Sequence, residues 1–253
     1  MRTFPGKTVT VLLAACALLA SHGVAARADF SADTTMTSAQ GQTMSGRMVV
    51  SKGRVRLEYE VKGQTVVQIN DPANQKIWML FPARKQFTVR DAPPGALTSG
   101  LGASARENPC EELTGAECTD LGDDEIHGRA ARKWMVRMSR MGQTMTMTQW
   151  TDKARGFPLR QDFGGGAGAE LVLIGEEEID GRPVEKWRLT MQRGDASRVD
   201  EQWFDPELGT TIREHKHDGS TRALTRIRVG DQDETLFQIP SGYHQLDADA
   251  GAY

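Results

Sequence analysis

Along most of this chain, apolar and polar side chains alternate with a period of two. In Val55-Arg56-Leu57-Glu58-Tyr59-Glu60 the apolar residues point one way and the charges the other. That is the signature of a half-buried antiparallel strand, because successive side chains leave a strand on opposite faces. Arg47-Met48-Val49-Val50 precedes it across the turn Ser51-Lys52-Gly53, so the two predict a hairpin. Val66-Val67-Gln68-Ile69, the turn Asp71-Pro72-Ala73-Asn74, the apolar run Ile77 to Phe81, the turn Pro82 to Lys85 and Phe87-Thr88-Val89 extend it into a meander. Helical periodicity is scarce throughout.

The second half repeats itself. Gly122–Arg160 aligns without a gap on Gly175–Arg213, and 14 of the 39 aligned positions are identical. With average residue usage, chance gives roughly two or three. The shared residues include Gly128/Gly181, Trp134/Trp187, Met138/Met191, Trp150/Trp203, Asp152/Asp205, Gly156/Gly209 and Arg160/Arg213. Each copy reads as an acidic turn, a strand, a returning strand ending in Trp150 or Trp203, a turn from Asp152 or Asp205 to the glycine, and a third strand. One supersecondary unit is therefore built twice and packs on itself. Gly164-Gly165-Gly166 falls between the copies and lacks the Lys-Ser/Thr of a phosphate loop. In all, the pattern predicts ten or eleven antiparallel strands with one or two short helices. So large a sheet must curl to bury a face.

Residues 92–120 break the alternation with Pro93-Pro94, several glycines and the pair Cys110 and Cys118, and read as a long excursion. The first 28 residues read as an export signal: Arg2 and Lys7, an apolar run from Val9 to Ala20 too short to span a bilayer, then Ala26-Arg27-Ala28 ahead of Asp29. Leu13-Ala14-Ala15-Cys16 is a rival lipoprotein signal that would leave Cys16 acylated. In an oxidising compartment, Cys110 and Cys118 are most simply a disulfide. Metal or redox use is the alternative, although C-x-x-C spacing is absent. The leader carries three basic residues and no acids, so its removal takes the formal net charge from −3 to −6. That balance disfavours nucleic acid. The remainder divides into one β domain over 29–246, with repeat units at 121–166 and 174–219, and a polar tail at 247–253.

No catalytic motif is present: there is no G-x-S-x-G and no H-E-x-x-H. The expectation is a protein that is not an enzyme and has neither catalytic residues nor a cofactor. His215-Lys216-His217 could place two imidazoles on one face, but the flanking Glu214 and Asp218 suggest the solvent side of an edge strand, and no metal is expected there. Met135, Met138, Met141, Met145 and Met147 crowd together. They suit Cu(I), the lining of an apolar cavity, or ordinary core. By alternation, Met145 and Met147 share one face and Met138 lies with Trp134 and Val136 on another. Asp123-Asp124 and Glu176-Glu177-Glu178 read as solvated turns.

The motif G-x-E-x-I-x-G-x-x-x-x-x-W, followed by W-x-D-x-x-x-G-x-P-L-R at Trp150–Arg160, resembles the lipoprotein-carrier superfamily of LolA and LolB, which includes the envelope-stress regulator RseB. Gly53-Arg54-Val55-Arg56, Gln75 to Leu80 and Leu236 to Tyr243 resemble it in the same way. The likeness is greatest to uncharacterised exported members of that superfamily, those of a domain of unknown function, which also carry the cysteine pair. The resemblance implies an incomplete antiparallel β-barrel around an apolar cavity, with short helices as a lid, holding acyl chains or a lipoprotein's lipid anchor. Two departures are a missing amphipathic helix after the leader and an overt internal duplication.

The combined expectation is a periplasmic binding protein that sequesters a hydrophobic small molecule or lipoprotein anchor on the concave face of a curled sheet. Membrane contact would be transient only. The expected lining is Trp134, Val136 and Met138 with their duplicates Trp187, Leu189 and Met191. A rival is an RseB-like module that docks an envelope protein through residues 92–120. A further rival is a copper carrier using Met135 to Met147.

Overall fold

The computed structural model describes residues 28–92, 107–111, 113, 115–140 and 143–246. The leader, Cys16, Met141, most of the excursion and the tail from 247 lie outside the described residues. Sixteen strands form one sheet: β1 (Phe30–Thr37), β2 (Thr43–Ser51), β3 (Arg54–Val61), β4 (Gln64–Asp71), β5 (Lys76–Phe81), β6 (Gln86–Asp91), β7 (Ala116–Ile126), β8 (Arg129–Arg140), β9 (Gln143–Asp152), β10 (Pro158–Gly164), β11 (Ala167–Ile179), β12 (Arg182–Arg193), β13 (Ala196–Asp205), β14 (Thr210–His215), β15 (Thr221–Val229) and β16 (His244–Gln245). Their order across the sheet is β16-β6-β5-β4-β3-β2-β1-β15-β14-β13-β12-β11-β10-β9-β8-β7. Two meanders are thus sewn together by the β1–β15 pairing, and the segment between β6 and β7 connects opposite ends of the sheet. All pairings are antiparallel except β16 on β6.

The hairpins form because the loops demand it. Lys52-Gly53, Lys62-Gly63, His127-Gly128 and Asp180-Gly181 are two-residue loops in which both residues have positive φ, between 50° and 78°. That geometry matches the right-handed twist of the flanking strands, and glycine at the second place meets no steric penalty.

The repeat is duplicated strand for strand. β8 and β12, and likewise β9 and β13, are displaced by the same 53 residues as the sequence alignment. β7 and β11 carry equivalent bulges, at Asp120/Gly122 and Leu173/Gly175. The sheet folds back on itself at the turn after β9. Phe157 has its ring centroid 5.0 Å from Phe204 on β13 and 5.5 Å from Trp187 on β12. On a flat sheet β10 and β13 would be about 14 Å apart. One core cluster joins Phe30 and Ala32 of β1 to Ile179, Val184, Leu208 and Ile212 of the second copy. A second joins Ile126, Ala131, Phe157, Leu159, Leu171, Trp187 and Phe204.

The mainly antiparallel curled sheet agrees with the sequence reading; the element count does not. There are sixteen strands among the described residues, not ten or eleven. Among the described residues the only helical pieces are 3-10 turns at Pro82–Arg84, Pro109–Glu111 and Glu234–Phe237. The acidic stretches Asp123-Asp124 and Glu176 to Glu178 lie inside β7 and β11, not in turns. Their carboxylates are neutralised by cross-strand cations, Arg132 and Lys153 on Asp123 and Lys186 on Glu177. β14 is an interior strand between β13 and β15, not an edge. Met138 is directly opposite Met145, and Val136 opposite Met147. Directly opposed residues share a face, so these three methionines lie on one side.

Candidate functional site

Most residues shared by the two copies are structural. Asp152 and Asp205 are each 1% exposed. Asp152 accepts from Arg129 at 2.7 Å and from the Arg155 backbone N–H at 2.9 Å. Asp205 accepts from Arg182 at 2.5 Å and from the Leu208 backbone N–H at 3.1 Å. The pairing with Asp205 raises the pKa of Arg182. Trp150 Nε1 donates to Asp124 at 2.8 Å and Trp203 Nε1 to Glu177 at 2.7 Å. Lys133 and Lys186 sit over those rings at 4.8 and 4.6 Å. These acid–Lys–Trp ladders occupy one face of the sheet.

The six expected lining residues occupy the other face. Trp134 is opposite Gln149, Gln149 opposite Gln161, Gln161 opposite Ala169, and Ala169 opposite Met191. Trp187 is opposite Gln202, which continues through Glu214 and Arg222 to Met36 and Met44. The two sets therefore share a surface that extends onto the first meander. Val136 and Trp187 are fully buried, so a ligand would reach them only by displacing packed side chains. Trp134, Met138, Leu189 and Met191 are half-buried.

The copies differ at their tryptophans. Trp187 Nε1 donates to Glu185 at 3.1 Å, and Glu185 also accepts from Arg155 at 2.6 Å. The counterpart of Glu185 in the first copy is Arg132, which cannot accept, and Trp134 Nε1 is buried without a partner. Cys118 is opposite Val136 and is disulfide-bonded to Cys110. The Pro109–Glu111 turn is thereby held against β7 and β8, with Pro109 buried.

The open part of this surface lies at the hairpin tips of the first meander. A groove of about 1080 Å³ runs between the β1–β2, β3–β4 and β14–β15 turns. Its lining includes Met36, Met44, Gly46, Tyr59, Val61 and Arg222. Val61 is 42% exposed. Gly46 is required there, because a Cβ would lie 2.3 Å from the Glu58 carbonyl oxygen. Burial raises the Tyr59 phenol pKa. One wall is the Arg222–Glu214 pair at 3.0 Å. Beyond Glu214 in the same cross-strand row, Gln202 Oε1 is buried with no partner. Sequence reasoning missed this groove. Its apolar signal was present in Phe30, Ala32, Thr34 and Met36, which alternate along β1, but the β1–β15 contact that builds it is long-range.

The two histidines of the His-Lys-His run part company. His215 packs its ring 4.9 Å from Trp203, and His217 donates its Nδ1–H to the buried Asp200 carboxylate at 3.0 Å. Among the described residues no group of three or more His, Cys, Asp or Glu is placed to hold a metal. No helix among them is long and apolar enough to cross a membrane.

The fold is thus that of a single open, curled antiparallel sheet. No protein-family model matches the chain. No curated protein matches it either. Solved structures are similar to it. A LolA superfamily protein from Nitrosomonas europaea is 11% identical over 84% of this chain and 90% of its own, with a TM-score of 0.38. A putative outer membrane lipoprotein-sorting protein domain from Vibrio parahaemolyticus is 14% identical over 83% and 89%, at 0.35. A DUF1329 family protein from Desulfovibrio piger is 13% identical over 85% and 91%, at 0.30. Likenesses of this size say nothing of a ligand.

Proposed function

We propose that this chain is an exported, non-enzymatic binding protein that holds a hydrophobic ligand, a lipid or acyl chain, on the inner face of its sheet. The observation that carries the reading is the 1080 Å³ groove, whose floor continues the face bearing Trp134, Met138, Leu189 and Met191. In this reading Val136 and Trp187 are the packed base of the trough. The half-exposed residues and the groove of Met36, Met44, Tyr59 and Val61 are its contact surface. About a dozen methylenes leaving water contribute on the order of 10 kcal/mol, comparable with the cost of association.

Native mass spectrometry of protein taken from the periplasm tests this, with Asp29 expected as the mature N-terminus. Bound lipid or fatty acid is expected, and Met36→Asp with Met44→Asp should weaken uptake of a hydrophobic dye at least tenfold. A chain that carries no lipid and binds no dye would refute the reading. A second reading, Cu(I) carriage, gains from Met138, Met145 and Met147 sharing a face. It requires stoichiometric copper uptake that is lost on Met→Leu exchange.

A further inference from the structure

The groove carries more positive charge than its ion pairs use. Its lining holds Arg47, Lys62, Lys216 and Arg222 against Glu58, Glu60 and Glu214. Arg222 is held by Glu214 at 3.0 Å, and Glu58 is engaged by Arg56, outside the groove, at 2.9 Å. Among the described residues, Arg47, Lys62 and Lys216 are in no ion pair, and Glu60 is the only unengaged acid of the lining. Asp218, in the same turn as Lys216 but outside the lining, accepts from the Ser220 backbone N–H at 2.8 Å and its hydroxyl at 2.6 Å, and its charge also feels Lys216 and His217.

The lysines stand on different hairpin tips. Lys62 is in the β3–β4 loop, and Lys216 begins the β14–β15 turn. The sheet order β3-β2-β1-β15-β14 puts Met36 of β1 and Met44 of β2 between them. The apolar floor is therefore flanked on both sides by exposed ammonium groups. An anion at such a mouth stays within about one Debye length, 8–10 Å at moderate salt, of fixed positive charge.

Resting on the binding reading above, we propose that the groove selects an anionic amphiphile. The chain lies on Met36, Met44 and Val61, and a carboxylate or phosphate head sits at the mouth in the field of Lys62 and Lys216. A positively charged head would be repelled by those lysines. A bare anion would gain nothing from the floor.

Dye displacement below micelle-forming concentrations tests this with three probes: dodecyl phosphate, dodecyltrimethylammonium and inorganic phosphate. Wild-type protein should bind dodecyl phosphate at least tenfold tighter than the cation of equal chain length, and should not bind inorganic phosphate. The double variant Lys62→Asp/Lys216→Asp should reverse the preference; both positions are exposed turn residues, and Asp tolerates the positive φ at 62. An unchanged melting temperature would confirm that the variant folds. Equal wild-type affinity for both heads, or a preference that survives the double substitution, overturns anion selection while leaving the apolar groove standing. Binding of inorganic phosphate alone would overturn it in favour of a simple anion site. Failure of both dodecyl probes overturns the binding reading itself.

Discussion

Asp205 shows how one side chain can explain a repeated letter. Its carboxylate is 1% exposed, yet it ties the turn N–H groups of Glu207 and Leu208 to Arg182 on the neighbouring hairpin. Removing one member of a buried pair strands the other. Asp205→Ala should therefore cost about 3–5 kcal/mol in urea denaturation. Asp205→Asn should cost less, because its amide oxygen still accepts from the turn. Asp152→Ala should behave alike if the duplication is energetic as well as geometric. Glu234 works differently. Arg54, Lys52 and the Ser51 hydroxyl hold its pKa down to about 2. A carboxylate depressed in the folded state stabilises above its unfolded pKa, about 4.3, and that contribution is lost as pH falls through the folded value. Wild type should exceed Glu234→Gln in melting temperature at pH 5, and the gap should close between about pH 4 and 2. A gap that persists at pH 2 would contradict the assignment.

At the scale of elements, the Pro109–Glu111 turn is the informative piece. In the second copy, Phe157 and Arg129 of the first copy cover Trp187, with Arg129 5.1 Å from its ring. The first copy has no earlier copy to cover β8, because β7 ends the sheet. The disulfide brings in a substitute, pinning the 3-10 turn against β7 and β8, where Val136 is fully buried. The closed loop is short, so the bond should contribute about 2–3 kcal/mol. Cys110→Ser/Cys118→Ser should lose that much and also increase fluorescence of a hydrophobic dye as Val136 and Trp134 are uncovered. Equal dye binding before and after would show that the turn stays in place without its bond. The C-terminal 3-10 turn similarly covers β3 and β4: Phe237 lies beneath Arg54 at 4.6 Å, in one cluster with Val67, Ile69 and Leu80.

Over the whole molecule, curvature decides what the strands can do. Period-two alternation, X-Gly loops and the duplicated Trp, Asp and Gly positions are local, because a strand's faces and a hairpin's register follow from its own residues and its turn. From these alone came an antiparallel, hairpin-built, curled sheet and a repeat whose strand bounds recur at the alignment's own offset; the bonded cysteine pair was read separately, from an expected oxidising compartment. The strands β7 and β11 were partly hidden, because their acids read as turns until cross-strand cations were in place. Likewise, alternation put Trp187 and Met191 on one face. It could not say that Phe157 would fold over Trp187 while Met191 stayed half-exposed, since that depends on how far the turn after β9 travels across the sheet. Nor could it find the groove, which needs β1 beside β15 and three hairpin tips from distant parts of the chain. Local sequence determined the strands, their turns and the duplicated stitching. Which part of the shared face is closed core and which is open groove was decided by the tertiary structure, because burial there is set by long-range curl, not by any pattern within a strand.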